Sequence, residues 1–345
     1  MKIALVLGTS TGGVGKHVES LAGGLTAEGH RVVVFGPRSV GEQFSFPLFR
    51  PVEISAGPHP RDVAAVWNLR AELRAMRPDV VHAHGLRAGL VSALAGAEPL
   101  VVTWHNTVMA EGAKQKVYEQ LEKIVARRAT LTLGASEDLV ARVTSLGGRD
   151  VRLGPVGAQY LPAGDGTAIR KEFGDGPLIL SVGRLHPQKR YDVLIEAAGQ
   201  WPDAQVLVAG SGPAESELRA MTGQRRVTFL GHRNDVADLL AAADVAVVTS
   251  DWEARQLFAQ EAMRAGVPLV ATRVGGLPGL VGDAAVLVPA GDADAVARAV
   301  RGLLDDPDRR AQLAQRGQER AAGWPDEAAT VRQVLACYRE LTGAA

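Results

Sequence analysis

Val245-Ala246-Val247-Val248, then Thr249-Ser250-Asp251-Trp252-Glu253-Ala254-Arg255-Gln256, then Leu257-Phe258-Ala259-Gln260-Glu261-Ala262-Met263-Arg264-Ala265-Gly266-Val267-Pro268: this stretch decides how the chain reads. The first four residues are an unbroken apolar run, which marks a strand covered on both faces, as in a parallel sheet. Residues 258–265 are rich in helix formers, and Gly266 with Pro268 stops them. Strand, polar turn and helix form one step of an α/β alternation. The turn then lies at the carboxyl end of the strand, where open parallel sheets bind ligands. It carries Glu253, and the helix behind it carries Glu261. Carboxylates in these places accept hydrogen bonds from sugar hydroxyls, a ribose diol included. An acidic residue favoured by the helix dipole, with a solvated glutamate behind it, accounts for the same two residues.

The alternation extends in both directions. Apolar runs predict strands over 3–7, 31–35, 79–84, 100–105 and 131–134, with helices over 17–27, 62–76, 86–94 and 114–128. Residues 8–15 read as a glycine-rich turn, and Ser136 as an N-cap before Glu137 and Asp138. Residues 154–176 are Gly/Pro-rich and lack periodicity, the pattern of an interdomain linker. Strands then resume over 178–182, 205–209, 227–230, 245–248, 269–272 and 285–288, interleaved with helices, and an amphipathic helix over 327–341 closes the chain. The fold class is α/β, with two Rossmann-like doubly wound domains facing each other. Their expected extents are 1–160 with 325–345, and 170–324.

Composition excludes several classes. A chain of 345 residues exceeds one ordinary core. Lys+Arg and Asp+Glu both number 38, so no net field draws nucleic acid. Cys337 is the sole cysteine, which rules out an internal disulfide and a cysteine zinc site and fits a reducing compartment. The apolar start is broken at Gly8, unlike a signal peptide, and no run reaches membrane-spanning length. The expected location is cytoplasmic.

Three groups of residues point to chemistry. Thr11-Gly12-Gly13-Val14-Gly15-Lys16-His17 resembles the nucleotide loop of ParA-type ATPases. However, Thr11 replaces the signature lysine, and His17 stands where Ser or Thr would hold magnesium. The glycines do not fit a dinucleotide fingerprint either. Backbone N–H groups at a helix start with Lys16 beside them suit an anionic group, while a tight turn needing small residues is the alternative. His82, His84 and His105 fall at strand ends with no carboxylate spaced to complete a metal site, so no metal is expected. Any of them reads equally as a structural donor; His105, followed by Asn106-Thr107, is best placed for a ligand. Finally, Gly183-Arg184-Leu185-His186-Pro187-Gln188-Lys189 puts two cations where a strand meets a helix, which is either a diphosphate clamp or a solvated basic turn. Together with Glu253 and Glu261 it would hold both ends of a nucleoside diphosphate sugar.

Here the sequence resembles the retaining GT-B glycosyltransferases of family 4, the group 1 type. The resemblance rests on Gly183-Arg184-Leu185 with Lys189, Gly210-Ser211-Gly212-Pro213, Phe229-Leu230-Gly231, and Glu253 with Glu261-Ala262, Gly266 and Pro268. Gly275-Gly276-Leu277-Pro278 and Val288-Pro289 also fit. Looser matches are Gly12-Gly13-Val14 with His17, Asp79 to His84, Ser136-Glu137, and the tail around Trp324 and Tyr338. The resemblance implies a C-terminal helix packed back on the first domain and a site in the interdomain cleft. Arg184 and Lys189 would bind the donor diphosphate, Glu261 the ribose and Glu253 the transferred sugar. His105 would meet sugar and phosphate from the other domain. The resemblance also implies that His232 and Arg233 lie where backbone meets the base, and that Gly13, Gly183, Gly210, Gln256 and Leu257 complete the donor-binding set, with Lys16 toward the acceptor. Cations and helix N-termini neutralise the leaving diphosphate, so neither cofactor nor metal is implied.

The implied activity is transfer of a hexosyl or N-acetylhexosaminyl group from a nucleotide sugar, UDP favoured over GDP, to a hydroxyl acceptor with retention of configuration. A lipid-linked or cell-envelope glycan fits as acceptor. Residues 114–128 set Lys114, Lys116, Lys123, Arg127 and Arg128 among apolar side chains, a peripheral membrane face that Glu119 and Glu122 dilute, and an ordinary solvated face accounts better for the same residues. Two departures stand out. Ala254 and Gln256, with Arg255 between, occupy turn positions where the family has Gly or Pro, and Gly154-Pro155-Val156-Gly157-Ala158 replaces the family's N-G-V-D. Arg255 either meets an acidic or phosphorylated group or is simply solvated. The rival functions are a nucleotide-sugar hydrolase or epimerase of the same fold, an idle nucleotide-sugar-binding module, and a ParA-like ATPase.

Overall fold

The computed structural model describes residues 1–343 apart from 11, 111, 155 and 158–160. The readings made on Thr11, Pro155 and Ala158 therefore lie outside the described residues. The chain forms two compact units, Met1–Gly157 with Pro325–Ala345, and Ala158–Trp324.

The first unit holds a seven-stranded sheet of β1 Lys2–Leu7, β2 Arg31–Gly36, β3 Phe49–Pro51, β4 Val80–His84, β5 Leu100–Trp104, β6 Leu131–Gly134 and β7 Val151–Leu153, in the order β3-β2-β1-β4-β5-β6-β7. The second holds β8 Leu178–Val182, β9 Gln205–Ala209, β10 Val227–Gly231, β11 Val245–Val248, β12 Leu269–Thr272 and β13 Val286–Val288, in the order β10-β9-β8-β11-β12-β13. Every pairing is parallel. Both sheets are thus doubly wound and Rossmann-like. Their strand order reverses between β1 and β4 in one and between β8 and β11 in the other. A crevice opens beyond the carboxyl ends at such a reversal.

Strands β4, β5, β11 and β12 are buried throughout, as strands covered on both faces of a parallel sheet must be. The C-terminal helix Glu327–Thr342 completes the first unit's core by lodging Val331, Val334, Leu335 and Tyr338 among Ile3, Leu21 and Val34. Its approach needs a residue without a side chain on the helix Gly13–Ala27: a Cβ at Gly24 would fall 2.5 Å from Val331 Cγ2.

Several local expectations are corrected. The first helix begins at Gly13, not at residue 17, so the last three residues of the expected glycine turn are helical. Gly15 serves packing there, because a Cβ would sit 2.2 Å from the Phe44 ring. The expected linker contains the helix Thr167–Phe173, which buries Ile169 in the second unit's core. Strands β3 and β7, three residues each, are too short to show a pattern. The helix Pro307–Ala322 has Leu313 as its one large apolar residue, but it is capped by Asp306 accepting from Arg309 N at 2.9 Å. Ser136 holds the N-cap position without capping, since its hydroxyl donates to Asp138 instead.

Candidate active site

In the second unit, Lys189 ends the short turn Pro187–Lys189 after β8, and Glu253 lies in the loop after β11. Those two strands flank the reversal of the sheet. The two side chains meet there as an ion pair, Lys189 Nζ donating to Glu253 Oε1. Glu253 is 8% exposed, and the Ser250 hydroxyl donates to the same oxygen at 2.6 Å. A carboxylate so placed is oriented by two donors. The loops are stitched in turn. Gln188 Nε2 donates to Trp252 O at 2.7 Å, Asp251 N to Gln188 O at 2.9 Å, Thr249 Oγ1 to Lys189 O at 3.0 Å, and Arg190 bridges Asp192 and Asp251. Gly276 N donates to Glu253 O at 2.8 Å from the loop after β12. Burial pushes the Tyr191 phenol above its usual range, so it stays a neutral wall beside Gly183.

Gly183 and Gly210 belong to the same floor. Gly210 adopts φ +137, and a Cβ on it would lie 1.9 Å from Gly183 O, so the loops after β8 and β9 touch through backbone alone. Gly183 N donates to Ala209 O, and Gly210 N to Gly231 O at 2.7 Å, extending the contact to the end of β10. There His232 is exposed, and the Arg233 guanidinium is bound by both oxygens of Asp235. Arg184 is exposed and has no ion-pair partner among the described residues. Gln256 caps the helix Leu257–Arg264, its side chain accepting from Ala259 N at 2.5 Å, and Glu261 lies half-buried on that helix.

Arg255 packs against an aromatic ring rather than standing in solvent. It is half-buried, 5.5 Å from the Trp324 ring, with Arg264 6.0 Å from the same ring. Burial, with Arg264 and Arg320 nearby, brings its guanidinium down to about 10. The altered turn is therefore anchored sideways by cation–π stacking, while Ala254 is buried.

In the first unit, four histidines gather at the other reversal. His84 ends β4, His105 follows β5, and His17 comes from the helix Gly13–Ala27 after β1. His84 Nδ1 lies 3.1 Å from His105 Nε2, and the His17 ring stands 5.5 Å and 5.2 Å from theirs. His82 is structural, with Nδ1 2.6 Å from the Tyr338 hydroxyl and Nε2 2.6 Å from Thr103 Oγ1. Burial keeps all four rings neutral: His17 falls to about 4, His82 to about 3, and His84 and His105 fall well below the ordinary value. Gly13 and Lys16 are exposed at the start of the same helix.

Comparison with known proteins bears on both units. Residues 12–158 match the glycosyl transferase 4-like domain, and residues 167–320 the glycosyl transferases group 1 model. Over 365 aligned residues the chain is 30% identical to phosphatidyl-myo-inositol mannosyltransferase of Mycolicibacterium smegmatis, covering 96% of this chain and 91% of that protein. The chain belongs to the glycosyl transferases group 1 family. Other relatives are longer. The chain is 35% identical over 240 residues to D-inositol 3-phosphate glycosyltransferase of a Mycobacterium species, an alignment covering 59% of this chain and 54% of that protein. It likewise spans 64% of a plant sulfoquinovosyl transferase. Among solved structures, sucrose-phosphate synthase of Thermosynechococcus elongatus superposes over 100% of both chains with a TM-score of 0.85 at 26% identity. Anabaena HepE, solved with UDP-glucose, shares the fold with a TM-score of 0.83 at 21% identity, covering 99% of this chain and 100% of that one. The group 1 architecture is therefore GT-B, two Rossmann-like units with the last helix returned to the first.

Sequence reasoning found Lys189 and Glu253 but not what holds them. Ser250 and Gln188 escaped because a polar residue just past a strand carries no motif of its own. His17 was noted as a misfit in a nucleotide loop and as part of a loose family match; its distance from His84 along the chain hid their contact.

Proposed function

We propose that this chain is a retaining glycosyltransferase that moves a hexosyl or N-acetylhexosaminyl group from a nucleotide sugar, UDP-linked in preference to GDP-linked, to a hydroxyl acceptor without a metal. The observation that carries this reading is the Lys189–Glu253–Ser250 arrangement at the β8/β11 reversal. A fixed carboxylate there accepts from sugar hydroxyls, while Lys189 and the exposed Arg184 supply cations for a diphosphate. Gly183, Gly210, Gln256 and Leu257 would bring backbone close to the donor, His232 and Arg233 would border the base, and Glu261 would take the ribose. In the first unit, Gly13 and His105 belong to the reading for phosphate and sugar. During transfer, the acceptor oxygen bonds to the anomeric carbon as the bond from that carbon to the diphosphate oxygen breaks. The acceptor's proton passes to the departing diphosphate on the same face, so configuration is kept. The UDP preference draws support from the UDP-glucose held by the Anabaena neighbour.

The acceptor reading is a lipid-linked or envelope glycan, met at the membrane surface. The helix Gly112–Arg128 exposes Lys114, Lys116, Arg127 and Arg128 beside Val117 at 53% and Ile124 at 41% exposure. The two glutamates expected to dilute this face are engaged within the protein: Glu122 is buried against Arg142, and Glu119 pairs with Lys123. The name of the mycolicibacterial relative, a phosphatidyl-myo-inositol mannosyltransferase, fits such an acceptor. No helix among the described residues is long and apolar enough to cross a membrane.

A thermal-shift panel of UDP-, GDP- and ADP-sugars tests the donor, because a ligand bound only by the native state raises its melting temperature. Labelled donor with and without lipid acceptors tests the reaction. A labelled glycolipid with retained configuration is expected; free sugar alone would establish the hydrolase instead. Sedimentation with vesicles should increase with anionic lipid, and indifference to it would remove the membrane face.

A further inference from the structure

We propose that His84 is a positioning residue for His105: it fixes the tautomer of that imidazole, so that His105 presents an N–H donor to the substrate and not a lone pair. The inference rests on the transfer reading above and names the kind of oxygen that His105 meets there. His84 Nδ1 lies 3.1 Å from His105 Nε2. Burial keeps both rings neutral, so each carries one proton and one lone pair. One hydrogen bond joins the two nitrogens, and its direction sets both tautomers.

The surroundings choose the direction. His84 is 3% exposed, and its Nε2 is sealed without a partner among the described residues. Were His105 the donor, the His84 proton would sit on that Nε2, as an N–H buried with no acceptor. Such a group gives up its water without replacement, and orphaned N–H groups are rarer in folded proteins than orphaned acceptors. With His84 Nδ1 donating instead, the sealed nitrogen is a bare lone pair and the His105 proton is on Nδ1. That nitrogen has no hydrogen-bond partner among the described residues and, in contrast to His84 Nε2, is not closed off from solvent. His82 does not compete for either ring, because Tyr338 and Thr103 occupy both its nitrogens.

The tautomer decides what His105 can bind. A lone pair on Nδ1 would accept from a sugar hydroxyl, whereas an N–H there suits an anionic oxygen of the diphosphate. A neutral, fixed donor stabilises the charge that develops on the leaving group without giving up its proton. Of the sugar and phosphate that the transfer reading allots to His105, this tautomer selects the phosphate.

The test takes nitrogen NMR spectra of the full chain, labelled at histidine and without substrate, with His105→Gln assigning the His105 signals among the eight histidines. In the parent, His105 should show a protonated Nδ1 and a bare Nε2. His84→Leu removes the donor and should return His105 toward the Nε2–H form that free imidazole side chains prefer. His84→Asn, whose amide nitrogen takes the place of Nδ1, should keep the parent form. Turnover is then measured with the nucleotide sugar that the thermal-shift panel selects. It should fall about tenfold in His84→Leu and largely recover in His84→Asn, a smaller loss than the roughly 10²–10³-fold for removing a whole donor. Circular dichroism checks that each variant folds, and the parent spectrum needs no variant of His84. A proton on His105 Nε2 in the parent, or a spectrum or turnover unmoved in His84→Leu, would overturn the proposal. An Nδ1–H form lost in His84→Leu, in a chain that turns over no nucleotide sugar, would uphold the tautomer assignment and remove the transfer reading instead.

Discussion

The Nδ1 of His82 lies 2.6 Å from the hydroxyl of Tyr338, a residue 256 positions away on the C-terminal helix. A neutral imidazole has one donor and one acceptor nitrogen, and Tyr338 and Thr103 answer both. Tyr338 is wholly buried, and burial pushes its phenol well above the usual range, so the hydroxyl keeps its proton. Tyr338→Phe should cost about 1–3 kcal/mol, because His82 is left with an unanswered nitrogen in the core. Urea unfolding followed by circular dichroism measures it; an unmoved midpoint would show that the contact does not hold the helix.

At the candidate donor site, Glu253→Ala should lower turnover at least about a hundredfold. Lys189→Met leaves the Glu253 carboxylate with Ser250 as its remaining side-chain donor among the described residues. It should lower turnover as well as stability, the latter by about 1–3 kcal/mol. Steady-state rates and urea midpoints on both variants check this. Full turnover in Glu253→Ala with donor still bound would remove Glu253 from the reaction.

Gly210→Ala is expected to destabilise by about 1–3 kcal/mol and to weaken stabilisation by nucleotide sugar, since φ +137 is strained for alanine and its Cβ would strike the Gly183 carbonyl. Gly23→Ala is the contrast. It lies within the helix Gly13–Ala27, where a Cβ meets nothing within 4 Å, and it should stabilise by about 0.5–1 kcal/mol. Equal melting temperatures for the two variants would contradict the assignment of backbone contact between the loops.

Acid should weaken the protein before its carboxylates titrate. His17 and His82 are held to about 4 and about 3 in the native state, against 6.5 in an unfolded chain. Below that value the unfolded chain takes protons that the native rings refuse, so stability falls as pH drops from about 6.5, by about 1.4 kcal/mol per pH unit for each such ring. Above 6.5 both states are neutral and the effect vanishes. The carboxyls with lowered values, Asp235 and Glu340 among them, contribute only below their ordinary 3.8 and 4.5. Urea midpoints should therefore fall between pH 7 and pH 5, less so in His17→Gln. A midpoint constant over that interval would mean that the histidines are not buried as described.

The sequence by itself determined the two parallel sheets, because apolar runs of four to six residues separated by glycine turns and helices have no other way to bury both faces. It also singled out the candidate loops, since Gly183 to Lys189 and Glu253 fall just past strands that must point their carboxyl ends one way. Strands as short as β3, the polar helix Pro307–Ala322 and the helix inside the expected linker were not legible, for their hydrophobic signal is too brief or too thin. Only the tertiary structure decided the pairings. The order β9-β8-β11 sets Lys189 against Glu253 across 64 residues, and β1-β4-β5 gathers His17, His84 and His105 from three segments. Strand order is fixed by how the whole sheet buries its surface, a global property that no local pattern encodes. Arg255 was undecidable for the same reason, because its stacking partner, Trp324, comes from the far end of the unit.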